Sequence, residues 1–116
     1  MALHTQLPIS KVTYDLSFLA AELVRNMPRD FKGLYGQRLM AECLELAMCI
    51  YRANVAKGAA KVPHLNELIE RLQVTELLLR LLQDLRLIAV KHYARAIELT
   101  QAIGRQASGW RKSSHA

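Results

Sequence analysis

Cysteine, proline and glycine are scarce in this chain of 116 residues, which holds 2, 3 and 5 of them. So few turn formers cannot punctuate an all-β sandwich, and no run alternates apolar and polar residues between turn signals. Cys43 and Cys49 lie six residues apart in one predicted helix. That is about 9 Å of rise, beyond the ~7 Å Cα reach of a disulfide. They read as buried small hydrophobes of a reducing compartment, so the expected location is cytoplasmic. Long apolar runs are also missing. The longest stretch without a charged side chain is Met1–Ser10, where a membrane-spanning helix needs ~20 apolar residues. The N-terminus has no basic start followed by an apolar run, which excludes a signal peptide, and no membrane partner is expected.

Catalytic signatures are absent too. Neither Gly-x-x-x-x-Gly-Lys-Ser/Thr nor Gly-x-Gly-x-x-Gly occurs, so phosphate-loop and dinucleotide chemistry have no motif. No Glu-x-x-His pair is present to build a di-metal bundle site. The four histidines, His4, His64, His92 and His115, fall in predicted tails or at helix starts and suit surface or capping roles. Periodicity turns Cys43 to the apolar side, away from any histidine partner. No metal, no cofactor and no enzymatic activity are expected.

What the chain does have is apolar content and helical periodicity. Apolar residues make up 52% and charged residues 22%, a composition that fills a core and leaves a surplus for an interface. After a flexible lead-in over 1–11, Ser10 or Thr13 is placed to cap a first helix. Leu16, Leu19, Ala20, Leu23, Val24 and Met27 follow helical spacing up to Pro28. A connector, 28–33, leads to a second helix over about 34–56. There Arg38, Glu42, Glu45, Cys49 and Arg52 form one narrow polar strip, with Arg38 and Glu42 an i, i+4 pair. Gly58 stands near its C-terminal cap. A third helix starts near Pro63, tolerated in a first turn, and runs to about Ile88. Its second half carries Val74, Leu77, Leu78, Leu79, Leu81, Leu82, Leu85 and Ile88, a wider apolar arc than one-sided packing needs. That excess predicts burial on two sides, core and partner. A fourth helix spans about 91–112, with a frayed tail over 113–116. One domain of 1–116 is predicted: an all-α, antiparallel up-down-up-down four-helix bundle.

Charge is unevenly placed. Of the formal net charge of +6, residues 86–116 contribute +5: Arg86, Lys91, Arg95, Arg105, Arg111 and Lys112 oppose Glu98 alone. On a wheel of the fourth helix Lys91, Arg95, Arg105 and Lys112 share an arc of roughly 100°. Arg111 points off that stripe. Clustered cations of this kind face either water or a polyanion, and they gain free energy by displacing counterions from nucleic acid. No aromatic residues interleave with them, so the pattern suits backbone contact without sequence readout.

Four segments resemble a known family. They are Tyr14-Asp15-Leu16, Met27-Pro28-Arg29-Asp30, Leu79-Arg80-Leu81-Leu82-Gln83-Asp84-Leu85 and Ile103-Gly104-Arg105-Gln106-Ala107-Ser108-Gly109-Trp110. Together they are similar to the Avd-like four-helix bundle family, the accessory variability determinant of diversity-generating retroelements. That family is related to bundle proteins encoded in ribosomal RNA intervening sequences. The similarity covers about residues 12–113, and Gly-Arg-x-x-x-Gly-Trp is its most specific piece. The chain departs from the family's frequent Leu and Gly at Ala107 and Ser108. The resemblance implies a non-enzymatic, basic homopentamer that binds the element's reverse transcriptase and RNA or DNA and assists mutagenic copying. A structural bundle of the intervening-sequence type, with no nucleic-acid role, is the rival expectation. Arg80 and Asp84 match family positions, either as an ion pair within the helix or as a bridge between subunits. Gly104 is expected to permit close helix approach, Gly109 to serve structure or interface, and Trp110 to anchor a core or interface.

Overall fold

The computed structural model describes residues 6–115. Helix α1 (Pro8–Arg25) begins inside the expected lead-in, so Pro8–Lys11 are helical; residues 1–5 of that lead-in lie outside the described residues. Pro8 starts the helix because its φ is already helical and its missing N–H belongs to a turn that needs none. The N-cap is Leu7, and neither Ser10 nor Thr13 fills that role. Thr13 is instead buried within α1, and its hydroxyl donates to the Ile9 carbonyl at 2.8 Å.

The helix stops ahead of Pro28, as the ring requires. The expected connector is largely helical: α2 (Arg29–Phe31) and a π turn (Lys32–Gly36) run directly into α3 (Gln37–Val55). Phe31 stacks on Tyr35, with ring centroids 6.0 Å apart. Gly36 is the glycine of close approach in this fold. A Cβ built there would stand 2.8 Å from Val24 Cγ1 on α1, and a β-branched valine has little freedom to yield.

Helix α3 is not closed by Gly58. That residue has φ +55 but lies beyond the cap, at the start of a short 3₁₀ turn (Gly58–Lys61). The Lys61 ammonium reaches back and donates to the carbonyls of Ala53 at 2.8 Å, Asn54 at 3.3 Å and Ala56. A cation at a helix C-terminus satisfies orphan carbonyls and complements the dipole.

Helix α4 (Val62–Asp84) has Pro63 in its first turn and ends four residues before the expected Ile88. The stop is a Schellman turn. Arg86 N–H donates to the Gln83 carbonyl and Leu87 N–H to the Leu82 carbonyl, each at 2.9 Å. Arg86 takes φ +60 where glycine is the usual residue. Helix α5 (Val90–Ser114) outlasts the expected end at Lys112. Ser114 is buried, and its hydroxyl donates to the Trp110 carbonyl at 2.7 Å. Residue 116 of the expected frayed tail lies outside the described residues.

The four long helices close a ring in which α1 packs on α3, α3 on α4, α4 on α5 and α5 on α1. The result is an all-α, up-down-up-down bundle 46 Å long and 19 Å across, with no strand among the described residues. Leu16, Leu39, Leu46, Leu65, Leu79 and Ile103 lie fully inside it.

Two substitutions test these backbone assignments by urea unfolding. Gly36→Ala should lower stability by about 1–3 kcal/mol, because the added methyl meets Val24. Arg86→Gly should raise it by about 0.5–1 kcal/mol, because the left-handed conformation is strained for arginine and free for glycine.

Candidate functional site

The basic residues of α5 fall where the wheel puts them. Ala96, Leu99, Thr100, Ile103 and Ala107 are buried, while Lys91, Arg95, Arg105 and Lys112 are exposed on the opposite side. Their electrostatic states differ. Arg95 pairs with Glu98, one turn on, at 3.6 Å. Arg105 has no ion-pair partner among the described residues. Arg111 turns away from the stripe and donates to Asn66 Oδ1 of α4 at 3.0 Å. Arg86 is exposed in the α4–α5 turn, off the helix altogether. The six cations therefore do not make one continuous face. Lys91, Arg105 and Lys112 are its uncommitted members.

The residues assigned to structure or interface separate in the same way. Arg80 Nε donates to both carboxylate oxygens of Asp84 at 3.3 Å, an exposed pair within one helix. Such a pair contributes about 0.3–0.5 kcal/mol. Gly104 does not serve close approach. A Cβ there meets only Leu72 Cδ1, at 3.9 Å, an ordinary contact. At Gly109 a Cβ would meet nothing. Trp110 is half-buried against the core with the Lys61 ammonium 5.7 Å from its ring centroid, so the C-terminal anchor also holds the α3 cap.

Sequence periodicity missed which way α3 faces. Its polar strip is turned toward α4. Glu42 is only 3% exposed and accepts from Arg38 at 2.9 Å and from Arg71 of α4 at 3.5 Å. Cys49, placed on the same strip, is fully buried. The outer side of α3 is consequently apolar, with Leu44, Tyr51 and Val55 exposed. Their spacing of seven and four residues is the signal that periodicity contained. The expected apolar excess of α4 is present as well. Leu77 is 72% exposed, and Leu81 and Leu85 also face water. Leu77 and Leu81 line an open groove of about 710 Å³ with Leu34, Tyr35, Arg38 and Val74. Tyr14 and Phe18 add exposed aromatic surface on α1.

Among the described residues no three His, Cys, Asp or Glu side chains are grouped to hold a metal, and no helix is long and apolar enough to cross a membrane. Both cysteines are free and buried. Burial pushes the Cys43 thiol up from an ordinary 9.0 to about 11, against a lowering hydrogen bond with Ser17. Burial likewise raises Cys49 to about 11. Neither thiol is a nucleophile near neutral pH.

These thiols predict an alkaline dependence. The folded chain keeps its thiol protons to a higher pH than the unfolded chain, so this contribution is intact below about pH 9 and is lost as pH rises toward 11. The decline should be shallower in a Cys43→Ala/Cys49→Ala variant, read from urea unfolding across that range. In the native parent at pH 8 a thiol reagent should react at least ~100-fold more slowly than in the unfolded chain. No family model matches this chain, and no curated protein or solved structure matches it either.

Proposed function

We propose that the protein is a self-associating, non-enzymatic adaptor that brings nucleic acid to a protein partner. Its specific role would be that of a cytoplasmic accessory protein of a diversity-generating retroelement. In that role it binds the element's reverse transcriptase and supports mutagenic copying of a template RNA. The observation that carries this reading is the apolar outer surface of α3 and α4, with Leu44, Tyr51, Leu77 and Leu81 in water in a lone subunit. Soluble monomers rarely leave large contiguous apolar patches uncovered. The four-segment family resemblance supports a homopentamer with the reverse transcriptase as its protein partner. The +5 charge of residues 86–116 supports a polyanion partner. Glu98 weakens the field of one stripe by pairing with Arg95. A ring of subunits repeats that stripe, and multivalency then raises avidity without new contacts.

Size exclusion with light scattering should give a particle near five times 13.1 kDa. Leu77→Glu with Leu81→Glu should dissociate it while leaving helicity intact, because both side chains are exposed in the single bundle. A parent that elutes as a 13.1 kDa monomer at micromolar concentration would overturn the assembly.

Binding to RNA and DNA should weaken steeply with salt, with a log–log slope of about −0.7 to −0.9 per phosphate neutralised. Arg95→Gln with Arg105→Gln should flatten that slope without changing the particle mass. An unchanged slope would leave the stripe a solvated face. Assembly without any nucleic-acid binding would instead fit a structural bundle of the intervening-sequence type.

A further inference from the structure

A shallow groove of about 370 Å³ runs between α4 and α5. Leu72 and Gly104 form part of its floor, and Gly104 brings no side chain into it. Around it stand Gln73, Gln101, Arg105 and Ser108. None of these four side chains makes a hydrogen bond or ion pair to another described residue. All four are exposed to solvent. On the same seam Thr100 donates to Glu76 at 2.6 Å and Arg111 donates to Asn66. The groove thus collects a guanidinium, two amides and a hydroxyl with no internal use.

The electrostatics select the occupant. Glu76 is the one carboxylate in the groove, and the Thr100 hydroxyl holds it at one end. Arg105 lies five residues farther along α5, about 7.5 Å of helical rise from that end. An anion therefore has a place beside Arg105 clear of Glu76. Guanidinium, amide and hydroxyl donors are the groups that fix a phosphodiester backbone, and they read no base identity there.

We infer that this groove seats a backbone phosphate of single-stranded or duplex nucleic acid. Arg105 is the charged contact, Gln73, Gln101 and Ser108 are neutral donors, and Gly104 is the open floor. The inference rests on the nucleic-acid reading above and narrows it from a diffuse stripe to one seat per subunit.

Three single variants of the full-length chain separate a seat from diffuse charge. Gly104→Leu fills the floor, keeps every charge and favours the helix, since the added Cβ has only an ordinary contact with Leu72. Arg105→Gln removes the cation in the groove. Lys112→Gln removes an equal charge from the same helix outside the groove. Helicity and particle mass are checked for each. Binding of a fluorescein-labelled mixed-sequence oligonucleotide, as RNA and as DNA, is followed by polarisation at several salt concentrations. The seat predicts that Gly104→Leu and Arg105→Gln each weaken binding about tenfold, whereas Lys112→Gln, which removes one stripe charge outside the groove, weakens it only about threefold. Arg105→Gln should also reduce the salt slope by about one phosphate. Gly104→Leu binding as the parent does, or Arg105→Gln and Lys112→Gln weakening it equally, would overturn the seat and leave a diffuse basic face. A parent that binds neither RNA nor DNA would overturn the seat together with the nucleic-acid reading.

Discussion

A carboxylate removed from water needs hydrogen-bonding partners, and Glu42 has two. Arg38 reaches it from one turn earlier on α3, and Arg71 reaches it across the seam from α4. Both guanidinium groups keep part of their surface in water, so the carboxylate is the group committed to the interior. This bridge ties the rotation of α3 to that of α4. With Glu42 and Cys49 aimed at α4, the arc of α3 that faces outward carries Leu44, Tyr51 and Val55. The apolar outer arc of α3 follows from where Glu42, the one buried carboxylate among the described residues, points.

The helices themselves were legible in the sequence because apolar spacing and proline positions act locally. Pro28 and Pro63 mark ends and starts where expected, and the Arg38–Glu42 pair forms at its i, i+4 spacing. The apolar excess of α4 was legible because it exceeds any one-sided stripe. What stayed hidden depends on neighbours. A wheel shows that α3 has a polar strip but not that α4 occupies the space beside it. Gly36 and Gly104 look alike in sequence, yet only Gly36 lies under another helix's valine. The early end of α4 was hidden because arginine, not glycine, takes the left-handed position. The closure of α3 was hidden because Lys61 acts from eight residues beyond Ala53. Among the candidate site residues, the exposure of Lys91, Arg95, Arg105 and Lys112 on one side of α5 was legible from the helical wheel. The pairing that leaves Arg95 engaged and Arg105 unpaired required the folded geometry.

The two sides of the bundle have opposite physical character. On α3 and the adjoining arc of α4 the exposed groups include leucines, tyrosine and valine, for which burial contributes about 25 cal/mol per Å². On α5 the exposed side carries Lys91, Arg95, Arg105 and Lys112, which gain from a polyanion and oppose burial in an apolar contact. One side therefore suits a second protein surface and the other a nucleic acid. Such a division lets an assembly form without covering its basic residues.

The direct measure of that division is whether the α4 face is covered in solution. A Leu77→Cys variant provides a reporter there, because the native thiols are buried and held near 11 and stay silent at neutral pH. A matching Lys112→Cys variant gives the rate of a thiol on the basic side. If α4 lies in an interface, the thiol at position 77 should react at least tenfold more slowly than the thiol at 112. Equal rates in a folded sample would show that the apolar face stands open to water and would contradict the account.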